Sequence, residues 1–450
     1  MHALPLSHIF KTWWPLAVSW LFMGLEQPLV GAVIARLAEP TVNLAALGGV
    51  VFPIALIIEA PIIMLLAAST ALSKDWASYE KLYRFMMVSG ALLTLLHILL
   101  VFTPLYDLVI VAALNPPQEV REPARLGLMV ILPWTWSIAH RRFHQGVLIR
   151  FGQSRAVSTG TLIRLCANLL AMGVGVVAAV FVGGVPGIVV GASGIAAGVL
   201  TEAFYIGWRV RPALRELREE PATEELTWSA FYSFYVPLAA TSLLLLLTQP
   251  LGSAALGRMP RALESLAAWP ILSGFIFVFR SLGMAYNEVV VALADEPQSL
   301  GGLRRFTWLL TGGIFAVLLL IAATPLSTLW FENVAGLEPQ LARLAQSGLW
   351  FALLWPSLSV LQNWYQGLIV HGKKTNSIVQ SVALSLVVSA LILGGGVVWE
   401  GVAGLYVGVA AFVVGSGVQV AWLWLKARSL MEGLERRDDY KLGRLEPQKR

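Results

Sequence analysis

Stretches of some twenty or more mostly apolar residues recur twelve times along this 450-residue chain, separated by short polar or Gly/Pro-rich breaks. About twenty apolar residues are what a helix needs to cross the hydrocarbon of a bilayer. A chain that repeats this length twelve times has few folds open to it other than a helical membrane bundle. The stretches lie at about 9 to 35, 44 to 72, 82 to 105, 123 to 149, 156 to 182 and 185 to 208, then at about 228 to 256, 263 to 292, 305 to 330, 342 to 370, 375 to 398 and 401 to 426. Composition agrees: 57% of residues are hydrophobic and 13% charged, against roughly a quarter charged in soluble domains. The first stretch exceeds a signal-peptide core and no small-x-small cleavage site closes it, so it is expected to remain as a span.

The basic residues fall between the spans, which argues against a nucleic-acid surface and makes them topology markers. With the N-terminus inside, and counting residues toward the helix ends with the adjoining loop, 25 of the 32 Lys and Arg lie on the inner side. Only Arg36, Arg121, Arg125, Arg258, Arg261 and Arg343 lie outside, and Arg280 falls within a span. Both termini are therefore expected in the cytoplasm of a cell with the chain in its inner (plasma) membrane. The mixed-charge stretch 211–227 reads as a cytoplasmic linker between 1–210 and 228–427, and 428–450 as a charged cytoplasmic tail. Cys166 has no partner cysteine and reads as a small packing residue. Trp13, Trp14, Trp134, Trp330, Trp350 and Trp399 fall near span ends, where tryptophans form interfacial belts, and Trp134 and Trp136 are also candidates to line a cleft.

The two halves repeat one another. Pro15-Leu16-Ala17, with Gln27 and Pro28 following, returns as Pro237-Leu238-Ala239 with Gln249 and Pro250, an offset of 222. Thr103-Pro104-Leu105 returns as Thr324-Pro325-Leu326, and Phe143 to Gly146 as Trp364 to Gly367, both at an offset of 221. Gly184, Val185, Gly187 and Gly191 match Gly401, Val402, Gly404 and Gly408 at 217. Six spans per half give both halves the same orientation, so the repeat is parallel. The expected fold is an all-α polytopic membrane protein of twelve transmembrane helices in two parallel six-helix lobes. Such an arrangement suits a secondary transporter working by alternating access.

Ionisable residues inside spans are costly and mark candidate sites. Glu26 and Gln27 precede a helix-breaking Pro28 and could hold a proton or Na⁺. Glu59 and Arg280 lie near the predicted midplane on repeat-mate helices and are expected to pair across the cleft. Arg280, Met284, Asn287 and Glu288 share one helical stripe. Span four carries His140, Arg141, Arg142, His144 and Gln145, with Gln362, Asn363 and Gln366 in its repeat mate, and Gln249 mates with Gln27. This cationic cluster favours an anionic substrate or a lipid phosphate; the alternative is that the arginines are cytoplasmic anchors. Arg164 and Asn168 in span five are of the same kind. Gly367, Gly372, Lys373, Lys374 and Thr375 miss the phosphate-loop pattern because Lys374 intervenes and a span precedes. His140 and His144 lack an obvious third ligand for zinc.

The Gly-Val-x-Gly-x-x-x-Gly opening of spans six and twelve, in two six-helix halves, resembles the MATE and flippase (MOP) superfamily. Trp14-Pro15-Leu16, Glu26-Gln27, Ser73-Lys74-Asp75 and Lys373-Lys374-Thr375 look most like its progressive ankylosis branch. The resemblance implies a monomeric exporter of a small solute, with an organic or inorganic anion as cargo in that branch, or an amphipathic cation coupled to H⁺ or Na⁺ as in typical multidrug members. No cofactor beyond the coupling ion and no nucleic-acid partner is expected; the partners are the solute and the bilayer. A flippase for a lipid-linked intermediate is the alternative. An intramembrane transferase, the alternative of another class, would need larger catalytic loops. The chain is not expected to be an enzyme.

Overall fold

The computed structural model describes residues 4–221, 226–296, 298–372 and 376–441, with side chains described to 437. All regular structure among them is helical. The principal helices are α1 Leu6–Ile34, α2 Pro40–Glu59, α3 Leu65–Leu72, α4 Trp76–Phe102, α5 Gln118–Val130, α6 Pro133–Arg150, α7 Ser154–Phe181, α8 Gly187–Arg209 and α9 Arg211–Glu219. They continue with α10 Trp228–Leu256, α11 Ala262–Leu293, α12 Ser299–Ala323, α13 Pro339–Ala352, α14 Leu354–His371, α15 Asn376–Trp399 and α16 Gly404–Lys441.

Ten helices are long and apolar enough to cross a membrane, or eleven if the bent pair α13 and α14 counts as one span. The sequence led us to expect twelve. The stretch missing even from the eleven is span four, which breaks between α5 and α6 at residues 131–132 and holds the polar cluster of α6, so its apolar content is too low. Its repeat mate breaks at the corresponding place, Leu353, with a bend of 40°. Span two is also interrupted: α2 ends at Glu59, turns through Pro61, and resumes as α3. Proline has no N–H to donate, which favours a stop there. Two carbonyls at the turn are taken up by span seven, Ala60 O by the Ser242 hydroxyl at 2.7 Å and Pro61 O by the Tyr235 hydroxyl. By contrast α1 runs as one helix past Pro15 and Pro28.

By contacts the chain divides into two compact units. One comprises Met1–Pro28, Ile271–Val334 and Ala342–Arg450; the other comprises Leu29–Pro270 and Ala335–Leu341. The repeat is visible in the local structure of each. Thr103 and Thr324 both end a long helix in extended backbone. Their hydroxyls donate to carbonyls four residues back, Leu99 at 2.6 Å and Leu320 at 2.7 Å, and accept from the N–H of Leu105 and Leu326. The same three residues thus build the same stop and turn twice.

Several side chains differ from expectation. Cys166 is exposed on α7, because the packed face of that helix carries Arg164 and Asn168. Trp13 and Trp134 are buried, not belt residues. Trp13 donates to Leu282 O at 3.0 Å and meets the Phe306 ring edge-on. Trp14, Trp350 and Trp399 do lie exposed. The start of the expected linker, 211–219, is the helix α9, which buries Ala213 and Leu217 and sets Arg218 over the Trp76 ring at 4.1 Å. Lys373-Lys374-Thr375 lie outside the described residues.

Candidate functional site

The densest polar network in the Leu29–Pro270 unit joins three helices around Glu202, whose side chain is fully buried on α8. Arg141 and Gln145 stand one turn apart on α6. Arg141 Nη1 donates to Glu202 Oε2 at 2.7 Å, and Gln145 Nε2 to the other oxygen at 3.0 Å. From α7, Arg164 Nη1 lies 3.7 Å from Glu202 Oε2. Arg141, Gln145, Arg164 and Asn168 are all buried.

Glycines on α8 bring these groups together. Gly194-x-x-x-Gly198 faces α7, and a side-chain carbon at Gly198 would lie 2.9 Å from the Arg164 carbonyl. Small residues at this spacing allow membrane helices to approach backbone to backbone, so the short arm of Glu202 reaches both neighbours.

The network holds more positive than negative charge. Arg142, half-buried on α6, and Glu59, buried at the end of α2, lie within electrostatic reach of Arg141 and Arg164. Three guanidiniums therefore share two carboxylates. The Nε atoms of Arg141 and Arg142 and Oε1 of Gln145 are buried without a hydrogen-bond partner. Such atoms cost roughly 1–3 kcal/mol each when left unmet, and the two N–H groups are suited to an anion. Glu59 Oε2 accepts from the Trp134 indole at 2.7 Å. His144 is enclosed, its Nδ1 2.9 Å from His140 O and its Nε2 3.4 Å from the Tyr79 hydroxyl.

The other unit carries the mates of these residues in mostly neutral form. Gln362, Asn363 and Gln366 on α14 occupy the positions of Arg141, Arg142 and Gln145 at the offset of 221. Asn363 donates to Ser359 O at 2.8 Å, and Gln362 and Gln366 are half-buried. Arg280 lies 4.7 Å from the centre of the Trp355 ring. Within its own unit Glu59 is hydrogen-bonded by the Trp134 indole, whereas Arg280 lies against the Trp355 ring with its Nε buried and without a hydrogen-bond partner. On α11 the stripe Arg280, Met284, Asn287 and Glu288 is the open face, flanked by buried Ser281, Ala285 and Tyr286. Asn287 reaches Asn363 O at 3.5 Å, and Glu288 is hydrogen-bonded by Trp20 of α1. Glu26 and Gln27 are half-buried on α1, and Gln249 is half-buried on α10.

Sequence reasoning missed Glu202. The signal was present: at the offset of 217 that aligns the glycines of spans six and twelve, Glu202 falls on Gln419 and Arg164 on Ser381. Those two are also partners, Gln419 Nε2 to Ser381 Oγ at 3.4 Å. One contact exists twice, charged in one unit and neutral in the other.

No protein-family model matches the chain, and no curated protein matches it. Solved structures do. A multidrug resistance MATE family transporter of the MOP superfamily, in an inward-facing conformation, aligns over 93% of this chain and 99% of its own, with TM-score 0.66 and 15% identity. The lipid II flippase MurJ, inward closed, aligns over 94% and 90%, with TM-score 0.68 and 13% identity. A MOP superfamily transporter from Pyrococcus furiosus, described by a reverse polarity of its binding pocket, aligns over 95% and 97%, with TM-score 0.62 and 17% identity. The chain has the fold of the MATE-type transporters of the MOP superfamily.

Proposed function

We propose that this protein is a MATE-type secondary active transporter that exports a small organic or inorganic anion by alternating access. It sits in the plasma membrane with both termini in the cytoplasm, and H⁺ or Na⁺ drives it. The observation that carries the anion reading is the cluster of Arg141, Arg142 and Arg164 against Glu202 and Glu59, with two guanidinium N–H groups buried and unmet. A cationic excess inside an apolar unit is costly and is offset when an anion enters. Glu26 with Gln27 is the proposed coupling pair, being half-buried and in a span. The likeness to transporters over nearly the whole chain supports the class.

Flipping of a lipid-linked phosphate is a second reading, favoured by the same cationic cluster and by the likeness to a lipid II flippase. Proteoliposomes separate the readings. Anion-dependent current or pH change that Arg142→Gln lowers supports the exporter, and movement of a labelled lipid phosphate between leaflets supports the flippase. Formation of a covalently altered product would instead indicate an intramembrane transferase.

A further inference from the structure

Away from that cluster, the Leu29–Pro270 unit holds a cavity of about 370 Å³ between α6 and the end of α8. Its walls include Trp136, His140, Leu200, Phe204, Trp208 and Arg211. The size falls within the roughly 300–1,000 Å³ of ligand-sized clefts. Phe204 and Trp208 are 70% and 61% exposed, so a membrane helix presents two large aromatic rings around an open hollow. The hollow is shaped by a particular packing. Gly207 leaves room that the His140 ring enters, since a side-chain carbon there would lie 2.7 Å from His140 Cε1. His140 in turn stacks on Trp136, with ring centres 4.9 Å apart, and its Nδ1 is buried without a partner.

The two ends of the cavity differ in polarity. Leu200 lies within apolar α8, while Arg211 opens α9, whose exposed side continues with Arg215. The eleven residue steps from Leu200 to Arg211 span roughly 16 Å of helix rise. Long apolar walls with a cation at the polar end match a lipid chain with an anionic headgroup. The basic residues also fall on the side that the Lys and Arg bias assigns to the cytoplasm, where anionic lipids attract basic segments.

We infer that this cavity binds one anionic phospholipid, with an acyl chain along Leu200, Phe204 and Trp208, the phosphate on Arg211, and the His140 imidazole available to a headgroup or ester oxygen. The site is distinct from the Glu202 network, which lies on another face of α8.

Native mass spectrometry of the purified protein, titrated with phosphatidylglycerol or phosphatidylcholine of the same chains, tests this. The wild type is expected to retain one phosphatidylglycerol in preference to phosphatidylcholine by roughly fivefold, the effect of one Arg near a charged headgroup at about 1 kcal/mol. Arg211→Gln should remove the preference, and Leu200→Trp should abolish retention at an unchanged melting temperature. Should Leu200→Trp fail to fold, Phe204→Ala, a change of an exposed side chain, must weaken retention. Equal retention of the two lipids by the wild type, or undiminished retention in all three variants, overturns the proposal. Displacement of the lipid by free inorganic phosphate would identify a simple anion site and overturn it too.

Discussion

Trp134 donates its indole N–H to Glu59 at 2.7 Å, closing the end of α2 onto the start of α6. The residues 221 positions later, Trp355 and Arg280, are in contact as well, with the guanidinium 4.7 Å from the ring centre. The repeat has kept the tryptophan in both units and inverted the charge beside it. An indole can serve either sign, because its N–H edge donates to a carboxylate and its face attracts a cation. Trp134→Phe keeps the ring and loses the donor, leaving a buried carboxylate oxygen unmet. It should cost about 1–3 kcal/mol, whereas Glu59→Gln, still an acceptor and no longer charged, should cost less. Thermal unfolding in detergent measures the order, and a Trp134→Phe protein as stable as wild type would contradict it.

At Trp355 the order of substitutions should be different. Phenylalanine retains a face for Arg280, and leucine does not. Trp355→Leu is expected to lose the cation contact, about 0.5–2 kcal/mol beyond the cost of lost packing, with Trp355→Phe between it and wild type. Arg280→Met removes the charge and is expected to leave the two Trp355 variants differing by their packing alone. A double-mutant cycle on unfolding checks this.

Glu202 is the residue on which the charged network depends. Glu202→Gln leaves Arg141 and Arg164 buried without their carboxylate, and breaking such a pair from one side costs about 3–5 kcal/mol. Adding Arg141→Leu and Arg164→Leu should recover most of that loss, since neutral replacements of a buried network are often as stable as the original. The neutral mate, Gln419 with Ser381, already occupies the same place in the other unit. Recovery in the triple variant with loss of anion transport would separate stability from function; no recovery would show that the arginines are held by other contacts.

The sequence made the spans and the repeat readable because both are long-range regularities of apolar spacing, and Thr103 and Thr324 show how faithfully a repeated triplet gives repeated structure. It did not show the breaks. A count of apolar residues runs straight through Pro61 and through residues 131–132, whereas the backbone turns at both, and at Pro61 span seven takes up the freed carbonyls. Glu202 escaped notice because hydropathy averages one carboxylate away in a span of glycine and alanine. Only the partner residues on two other helices give it meaning, and these are set by tertiary packing.

Cys166 gives a direct check of which face of α7 is packed. It stands two residues from Arg164 and two from Asn168, both of which face α8, and points away from them to the exposed side. In a span, an exposed side chain of this kind meets lipid. In nanodiscs the thiol should therefore react with an uncharged, lipid-soluble maleimide and resist a sulfonated one that stays in water. Unfolding in denaturant should remove the difference. A thiol that reacts with neither reagent until unfolding would place Cys166 in the packed face and rotate α7, taking Arg164 away from Glu202. Equal reaction with both in the native state would put water on that face. The Glu202→Gln variant, with α7 held less tightly, should keep the selectivity if only the charge network is lost and lose it if the helix turns.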